Sequence, residues 1–484
     1  MNHYYHSLSE LFTQYPPLPE EPVRQSLFQA LGAFDQTIVV LDDDPTGTQT
    51  VRAVPVVTEW SRDTLRNELA RKPRMLFVLT NSRSLSAEET EQLHRELAQN
   101  IAWASETVGR EVLLVSRGDS TLRGHFPLET ETLREGLEKA LGITFDGEIL
   151  CPFFPEGGRY TVGDIHYLEE DGCLVPVGQS EFAKDKTFGY QNSHLGQWVE
   201  EKTGGRWRAE DVISISLEDL RREDADTVLK KLSAARDFQK IVVNAVCYRD
   251  LEVFVPLLLK SIREGKRFVL RTAAAILRVM CGCLDDTVLE RETLIKGQNR
   301  NGGIVIVGSH VSKTTRQLKA LCQEFPMEKL EFNQHLVLDE SRFQEEILRV
   351  SNLADEAVCH GRDVVVYTRR ERLDLNGTDK EEELRLAVQI SQGLVQVISN
   401  LQIRPRFVIA KGGITSSDVA TKGLSISRAE VMGQILPGIP VWQSGPESKF
   451  PHMPYVIFPG NVGNDDSLLK AVRKLSPLVD TTEG

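Results

Sequence analysis

Ile38-Val39-Val40-Leu41-Asp42-Asp43-Asp44-Pro45-Thr46-Gly47-Thr48 runs from hydrocarbon straight into acid. The four apolar residues read as a strand buried on both faces. Three adjacent carboxylates, a proline, two hydroxyls and a glycine follow. Asp, Pro and Gly suit turn geometry, so one reading of 44–47 is a plain turn. Adjacent carboxylates repel, however, and call for a positive or protonated neighbour. In open α/β sheets, ligands bind beyond the carboxyl ends of strands. The stretch therefore predicts a site for a metal ion, a polyol or a phosphate donor.

Outward from this segment the pattern repeats. Apolar runs at 75–80, 111–116, 147–152, 241–246 and 267–272 read as further strands. Between them, 87–108 reads as a long helix, with Ser86 as N-cap and Glu88 and Glu89 in its first turn. Apolar strands interleaved with helices predict a mostly parallel sheet covered on both faces. The polar stretch 290–303 interrupts the series and reads as a linker. A second α/β series follows, with strands at 304–307, 363–367, 406–410, 439–442 and 454–458. Residues 1–35 read as an arm, extended over 16–22 and then a short amphipathic helix over 23–31. The expected fold is thus α/β with two domains, 36–289 and 304–484. Each is a mostly parallel sheet flanked by helices, with the active-site cleft between them. No internal repeat or low-complexity tract is seen.

The bulk numbers agree with this plan. A chain of 484 residues is too long for one ordinary core. With 40% hydrophobic and 26% charged residues, it has the composition of a soluble globular protein. A net charge of −13 argues against nucleic acid as the main partner. The seven cysteines are scattered, make no metal-finger spacing and fit a reducing cytoplasm. Met1-Asn2-His3-Tyr4-Tyr5-His6 lacks the regions of a signal peptide, and no apolar run reaches the length of a membrane span. The expected location is the cytoplasm, away from membranes. A homodimer is compatible with the sequence, which carries no argument for it.

A second polar cluster, Ser116-Arg117-Gly118-Asp119-Ser120-Thr121-Leu122-Arg123-Gly124-His125, follows the strand at 111–116. Its guanidiniums can grip a carboxylate bidentately, and Asp119 and the hydroxyls can bind sugar hydroxyls. The alternative is a solvated, salt-bridged loop. Thr80-Asn81-Ser82-Arg83-Ser84 ends another strand with similar chemistry. Three polar strand ends in one domain predict a site for a small hydroxylated anion.

The second domain differs. Val307-Gly308-Ser309-His310-Val311-Ser312-Lys313-Thr314-Thr315 follows a strand and opens a helix. It is not a P-loop, because Lys313 comes one residue early and the second glycine is missing. A small-residue turn at a helix N-terminus still offers amides and a positive dipole end to phosphate. Lys411-Gly412-Gly413-Ile414-Thr415-Ser416-Ser417-Asp418 and Phe458-Pro459-Gly460-Asn461-Val462-Gly463 repeat the arrangement. Gly412 and Gly413 let backbone approach a ligand closely. Three such turns predict nucleotide binding. An anionic hydroxyl substrate on one domain and a nucleotide on the other suggest a kinase, since phosphoryl transfer needs positioning and charge neutralisation above all.

These motifs resemble the four-carbon acid sugar kinases, formerly a domain family of unknown function. Members carry Asp-Asp-Phe-Thr-Gly after a strand, here Asp43-Asp44-Pro45-Thr46-Gly47. They carry Asp-Ser-Thr-Leu-Arg-Gly, intact here from Asp119 to Gly124. Gly308-Ser309, the Gly-Gly-x-Thr-Ser from Gly412 to Ser416 and the Gly-Asn-x-Gly from Gly460 to Gly463 match the C-terminal half. The resemblance spans the chain beyond residue 36. Pro45 stands where an aromatic residue is usual, Ile414 where many members are acidic, and Phe458-Pro459 where Lys-Ser is common. The arm and a segment at 153–194 mark a divergent subgroup, and Glu156-Gly157-Gly158-Arg159-Tyr160-Thr161 is expected to close over the substrate.

The resemblance implies ATP-dependent phosphorylation of the terminal hydroxyl of a tetronate such as threonate, erythronate or 3-oxo-tetronate, with Mg²⁺. It places Asp43, Asp44, Asp119 and Arg123 in the substrate site; the polar clusters add Thr46, Arg83, Arg117 and Ser120. It places Ser309, Gly412, Gly413, Thr415, Gly460 and Gly463 at the nucleotide; the same turns add Ile414, Ser416 and Asn461. Arg123, with Arg117, is expected to bind the substrate carboxylate, and Asp119 or Asp44 to orient the hydroxyl and accept its proton. Asp43 or Asp44 is alternatively a Mg²⁺ ligand. Lys313 or Lys411 would supply a phosphate cation. Rival readings are a metal-dependent aldolase or dehydratase and a non-catalytic sugar-acid sensor. A dinucleotide oxidoreductase is disfavoured, because no Gly-x-Gly-x-x-Gly follows a strand.

Overall fold

The computed structural model describes residues 5, 7–15, 18–221, 225–285, 287–297, 299–371, 373, 380–460 and 462–476. The chain divides into two compact units, Met1–Asp285 and Asp286–Gly484.

The first unit is built on β1 (Thr37–Asp42), β2 (Val54–Val57), β3 (Met75–Leu79), β4 (Val112–Arg117), β5 (Gly147–Cys151), β6 (Arg159–Val162), β7 (Ile165–Glu170), β8 (Cys173–Pro176), β9 (Ile213–Ile215), β10 (Gln239–Val243) and β11 (Phe268–Thr272). Its main sheet runs in the order β2-β3-β1-β4-β11-β5-β10-β9, parallel throughout. Val40 lies opposite Phe77 on one side and Val115 on the other. All residues of β1 and β3 are buried, as continuous apolar strands covered on both faces must be. The chain winds from β1 to β2 and β3 on one side and then returns to β4 on the other. This makes the carboxyl ends of β1 and β4 a topological switch point, where open α/β sheets bind ligands.

The helix Ala87–Val108 has the expected start: Ser86 Oγ accepts from Glu89 N, and the Glu89 carboxylate accepts from Ser86 N. It ends at Gly109, whose φ of 65° closes the last turn. Leu97, Ala98 and Ile101 pack from this helix onto Leu133 and Leu137, and onto Val39, Leu76 and Leu114 of the sheet.

The arm departs from expectation. Helices cover Leu8–Gln14 and Glu20–Ala33, so the second starts three residues before 23. Pro19 occupies its N-cap, Glu20 and Glu21 favour the positive end, and Pro22 falls in the first turn, where no intrahelical donor is lost. Of the stretch expected to be extended, Pro16 and Pro17 lie outside the described residues. Tyr5 stands edge-on to Tyr167 and Phe12 edge-on to Tyr160. The segment 153–194 holds β6, β7 and β8, a separate antiparallel sheet that no periodicity announced.

The second unit has β12 (Ile304–Val307), β13 (Glu328–Phe332), β14 (Val364–Thr368), β15 (Val408–Lys411), β16 (Arg428–Leu436), β17 (Ile439–Ser444) and β18 (Pro454–Phe458). They run β13-β14-β12-β15-β18-β17-β16. The pairs through β18 are parallel, and β17 and β16 add antiparallel edges. Its switch point lies between β12 and β15. Residues 290–303, read as a linker, carry the short helix Arg291–Leu294, and Leu294 is buried in this unit's core. Among the described residues, no helix is long and apolar enough to cross a membrane.

Candidate active site

At the first switch point, β1 ends in its carboxylates. Asp44 both makes a turn and leaves it accessible: its side chain caps the short 3-10 turn Pro45–Thr50, accepting from Thr46 N at 2.9 Å and Thr46 Oγ1 at 2.6 Å. Gly47 is required by contact, since a Cβ there would lie 2.1 Å from Asp42 Oδ2. Asp42 is buried, and among the described residues its Oδ2 has no hydrogen-bond partner. Burial, with Asp43 and Asp44 beside it, pushes its carboxyl up to about 7 despite Arg117.

Asp43 takes the Arg83 fork bidentately, at 3.0 and 2.6 Å. It also accepts from Arg117, which reaches Asp42 at 3.0 Å. Asp43 and Arg117, read as substrate ligands, are therefore buried and engaged with neighbouring charges. They form a frame that holds Arg83 and Asp44 in place. Burial pushes the Asp44 carboxyl up, but Arg83, Arg117 and Thr46 outweigh it and hold it below its ordinary value.

The loop after β4 carries Asp119, half-buried, which accepts from Thr121 Oγ1 and from Arg123 Nε at 2.6 Å. Arg83, Arg123 and Thr121 outweigh its burial and hold the carboxyl well below the usual range. Ser120 lies in the same loop, its carbonyl taken by His166 Nε2 at 2.8 Å. Leu122 has φ 67° and is buried with Phe126, Leu168 and Trp198, so apolar packing maintains a strained backbone. Asp43, Asp44, Thr46, Arg83, Arg117, Asp119, Ser120 and Arg123 thus fall at the carboxyl ends of three neighbouring strands, β1, β3 and β4.

Sequence reasoning missed what lies beneath this loop. Arg271 of β11 donates to Ser116 Oγ at 2.7 Å and pairs with Glu129, which also accepts from Ser82 Oγ at 2.6 Å. A Cβ on Gly118 would lie 2.4 Å from Arg271 Cζ, and one on Gly124 2.7 Å from its Nη2. The glycines of the loop are there because a guanidinium fills the space below them. An arginine inside an apolar strand was the available signal.

The second switch point has little side-chain charge. Gly308 follows β12, and a Cβ there would lie 3.0 Å from Thr415 Oγ1. Ser309 Oγ accepts from Val311 N at 3.3 Å. The helix Ser312–Glu324 has no side-chain cap, so its first amides face outward. Gly412, at φ 116°, turns β15 into the short helix Gly413–Asp418, also without a side-chain cap. Gly412 and Gly308 flank Thr415. Ser416 Oγ donates back to Ala410 O and Gly412 O and is buried, so it fixes the turn rather than offering a hydroxyl. Thr314 Oγ1 donates to Gly460 O at 3.3 Å, bringing the third turn alongside. Gly463 has φ 79° and abuts Ser467. The Ile414 backbone lies in the short helix, while its side chain and Asn461 fall outside the described residues.

Lys411 is fully buried, with Nζ on Pro459 O at 2.9 Å; burial, with Lys313 nearby, lowers its pKa to about 7. It is a strut for the third turn, which corrects its expected role as a phosphate cation. A missed cation is Arg370, beyond β14. Its Nη2 donates to Ser309 O at 2.6 Å and Thr315 Oγ1 at 3.0 Å, while Nε and Nη1 are buried and, among the described residues, have no hydrogen-bond partner.

Two family models match the chain: a sugar-binding N-terminal domain over residues 38–280 and a nucleotide-binding C-terminal domain over 304–468. The chain belongs to the four-carbon acid sugar kinase family. Among solved structures, it is similar to a Haemophilus influenzae protein of the DUF1537 family, at 16% identity and TM-score 0.61, covering 90% of this chain and 100% of that one. A Salmonella typhimurium LT2 protein, solved under the provisional name of a tRNA synthase, is 16% identical with TM-score 0.64, covering 90% and 98%. At these identities the likeness is one of fold. A search of curated proteins finds no match.

Among the described residues, no group of three or more His, Cys, Asp or Glu side chains could hold a metal ion. The accessible carboxylates Asp44 and Asp119 each face a guanidinium, Asp44 with Arg83 at 3.6 Å and Asp119 with Arg123 at 2.6 Å. These residues do not fit a resident metal.

Proposed function

We propose that this protein is an ATP-dependent kinase that phosphorylates the terminal hydroxyl of a four-carbon acid sugar of the threonate, erythronate or 3-oxo-tetronate type. The observation that carries the reading is the match of a sugar-binding domain to the unit with the Asp44–Asp119 cluster and of a nucleotide-binding domain to the unit with the glycine turns. Mg²⁺ enters with ATP as part of the substrate.

Arg83, Asp44, Asp119 and Arg123 are the half-buried groups at the first site. Asp119 is ionised across the physiological range, so it accepts a hydrogen bond from the reacting hydroxyl and orients it. Its low basicity suits a loose transition state, in which the proton leaves late. Asp44 is the second candidate for that role. In the second unit, the first backbone amides of the helices Ser312–Glu324 and Gly413–Asp418 receive phosphate oxygens, with Arg370 supplying positive charge.

The test is ADP release with Mg-ATP against a panel of four-carbon sugar acids, with mass spectrometry of the products. A product heavier by one phosphoryl group is expected. ATP-independent conversion of the acid would favour an aldolase or dehydratase, and binding of both ligands without turnover a sensor.

A further inference from the structure

The small antiparallel sheet of the 153–194 segment has no place in the chemistry described above, yet one of its faces is pressed against the Asp119 loop. In the β6–β7 register Arg159 lies opposite Leu168 and Thr161 opposite His166, so these four share a face. Leu168 packs in the cluster that holds Leu122. The Ser120 carbonyl can only accept, so His166 Nε2 carries the proton there and Nδ1 accepts from Thr161 Oγ1 at 2.9 Å. Tyr190 OH donates to Thr121 O at 2.6 Å. Two consecutive carbonyls of the loop are thus held by this segment.

Arg159, on the same face, stands out by its lack of partners. Arg83 and Arg117 are matched with Asp43, and Arg123 with Asp119, beside Asp185 at 3.8 Å. Among the described residues, the half-buried Arg159 guanidinium makes no ion pair, and its buried Nε has no hydrogen-bond partner. It shares the Phe182 ring with Arg123, at 5.6 and 4.9 Å to the centroid. Burial, and the repulsion of Arg123, lower its pKa against the pull of Asp119 and Glu170. A half-buried cation beside another cation, with no carboxylate in contact, is an uncompensated charge that an arriving anion would satisfy.

We propose that Arg159 receives the carboxylate of the acid sugar and thereby makes the site selective for acids over neutral polyols. The inference rests on the sugar-acid reading above and gives Arg159 the carboxylate-binding role expected of Arg123 with Arg117. A guanidinium fork matches a carboxylate bidentately, and the Phe182 ring beside Arg159 gives that fork an apolar surface to lie against.

The experiment compares wild type, Arg159→Gln and Arg159→Lys with threonate and erythronate as acids, threitol and erythritol as neutral probes, and ATP. Arg159→Gln should raise KM for the acid about 10- to 100-fold, the worth of one charge-assisted bond. KM for ATP should stay unchanged, and the preference for acid over polyol should collapse. Arg159→Lys should recover part of that preference, which a merely structural role would not produce. An unchanged acid KM in Arg159→Gln, or equal losses on acid and polyol, overturns the proposal. If wild type shows no turnover, calorimetry with the acids separates the two readings: binding that Arg159→Gln abolishes keeps the carboxylate site while the kinase falls, and no binding by wild type overturns both.

Discussion

The two units are wound alike and equipped differently. Around β1 the order is β2-β3-β1-β4, and around β12 it is β13-β14-β12-β15. Each has its switch point beside its first strand. The first is filled with side-chain charge, with Asp42 and Asp43 buried among Arg83 and Arg117. The second is made of turns, uncapped amides and hydroxyls, and its buried Lys411 holds backbone carbonyls. The winding supplies a platform, and the side chains at strand ends choose its ligand. A small acid with several hydroxyls requires directed polar side chains, whereas a polyphosphate can be gripped by backbone.

The strongest way to break this contrast is Asp119→Asn. Turnover should fall about 10²- to 10⁴-fold with ATP affinity unchanged by calorimetry. Near wild-type turnover would remove Asp119 from the chemistry and leave Asp44 to carry it.

Contact strain comes next. Gly47→Ala and Gly118→Ala would drive a Cβ into Asp42 and Arg271, at 2.1 and 2.4 Å. Each should cost about 1–3 kcal/mol, read from urea unfolding. Gly412→Ala places a side chain at φ 116° without a clash, so its effect is local strain. It should weaken ATP binding about tenfold and leave sugar-acid binding alone. A loss of acid binding in Gly412→Ala would erase the division of labour.

The smallest effect is in pH, where the units should respond with opposite sign. Asp42 is raised from 3.8 to about 7, so the folded state keeps a proton that the unfolded chain has released. Its contribution makes stability fall as pH rises from 3.8 to about 7. Lys411 is lowered from 10.5 to about 7, so the unfolded chain holds the extra proton, and stability rises from about 7 to 10.5. Asp42→Asn should flatten the acid limb and Lys411→Met the alkaline limb of the urea midpoint against pH.

Much of this was legible in the chain, because buried parallel strands are continuous apolar runs with polar ends. Val39 and Val305 sit where such runs place them, and Ser86 with Glu89 announced a helix start. The strand ends with Asp44, Asp119 and Gly412 were visible for the same reason. What was hidden depends on contacts distant in sequence. Arg271 is one polar residue in an apolar strand, and its role appears only when Gly118 and Gly124 fold over it. Arg117 read as a ligand because nothing local shows Asp42 and Asp43 closing on it. The short strands of 153–194 carry too little periodicity to be seen, and Arg159 draws its meaning from a loop some forty residues earlier.

Hydrogen-exchange mass spectrometry of the full chain, with a four-carbon sugar acid alone and with ATP alone, tests the division of chemistry most directly. The acid should slow exchange in 42–50 and 116–124, and ATP in 308–315 and 411–418. Protection of 42–50 by ATP alone, or of 411–418 by the acid alone, would contradict the account.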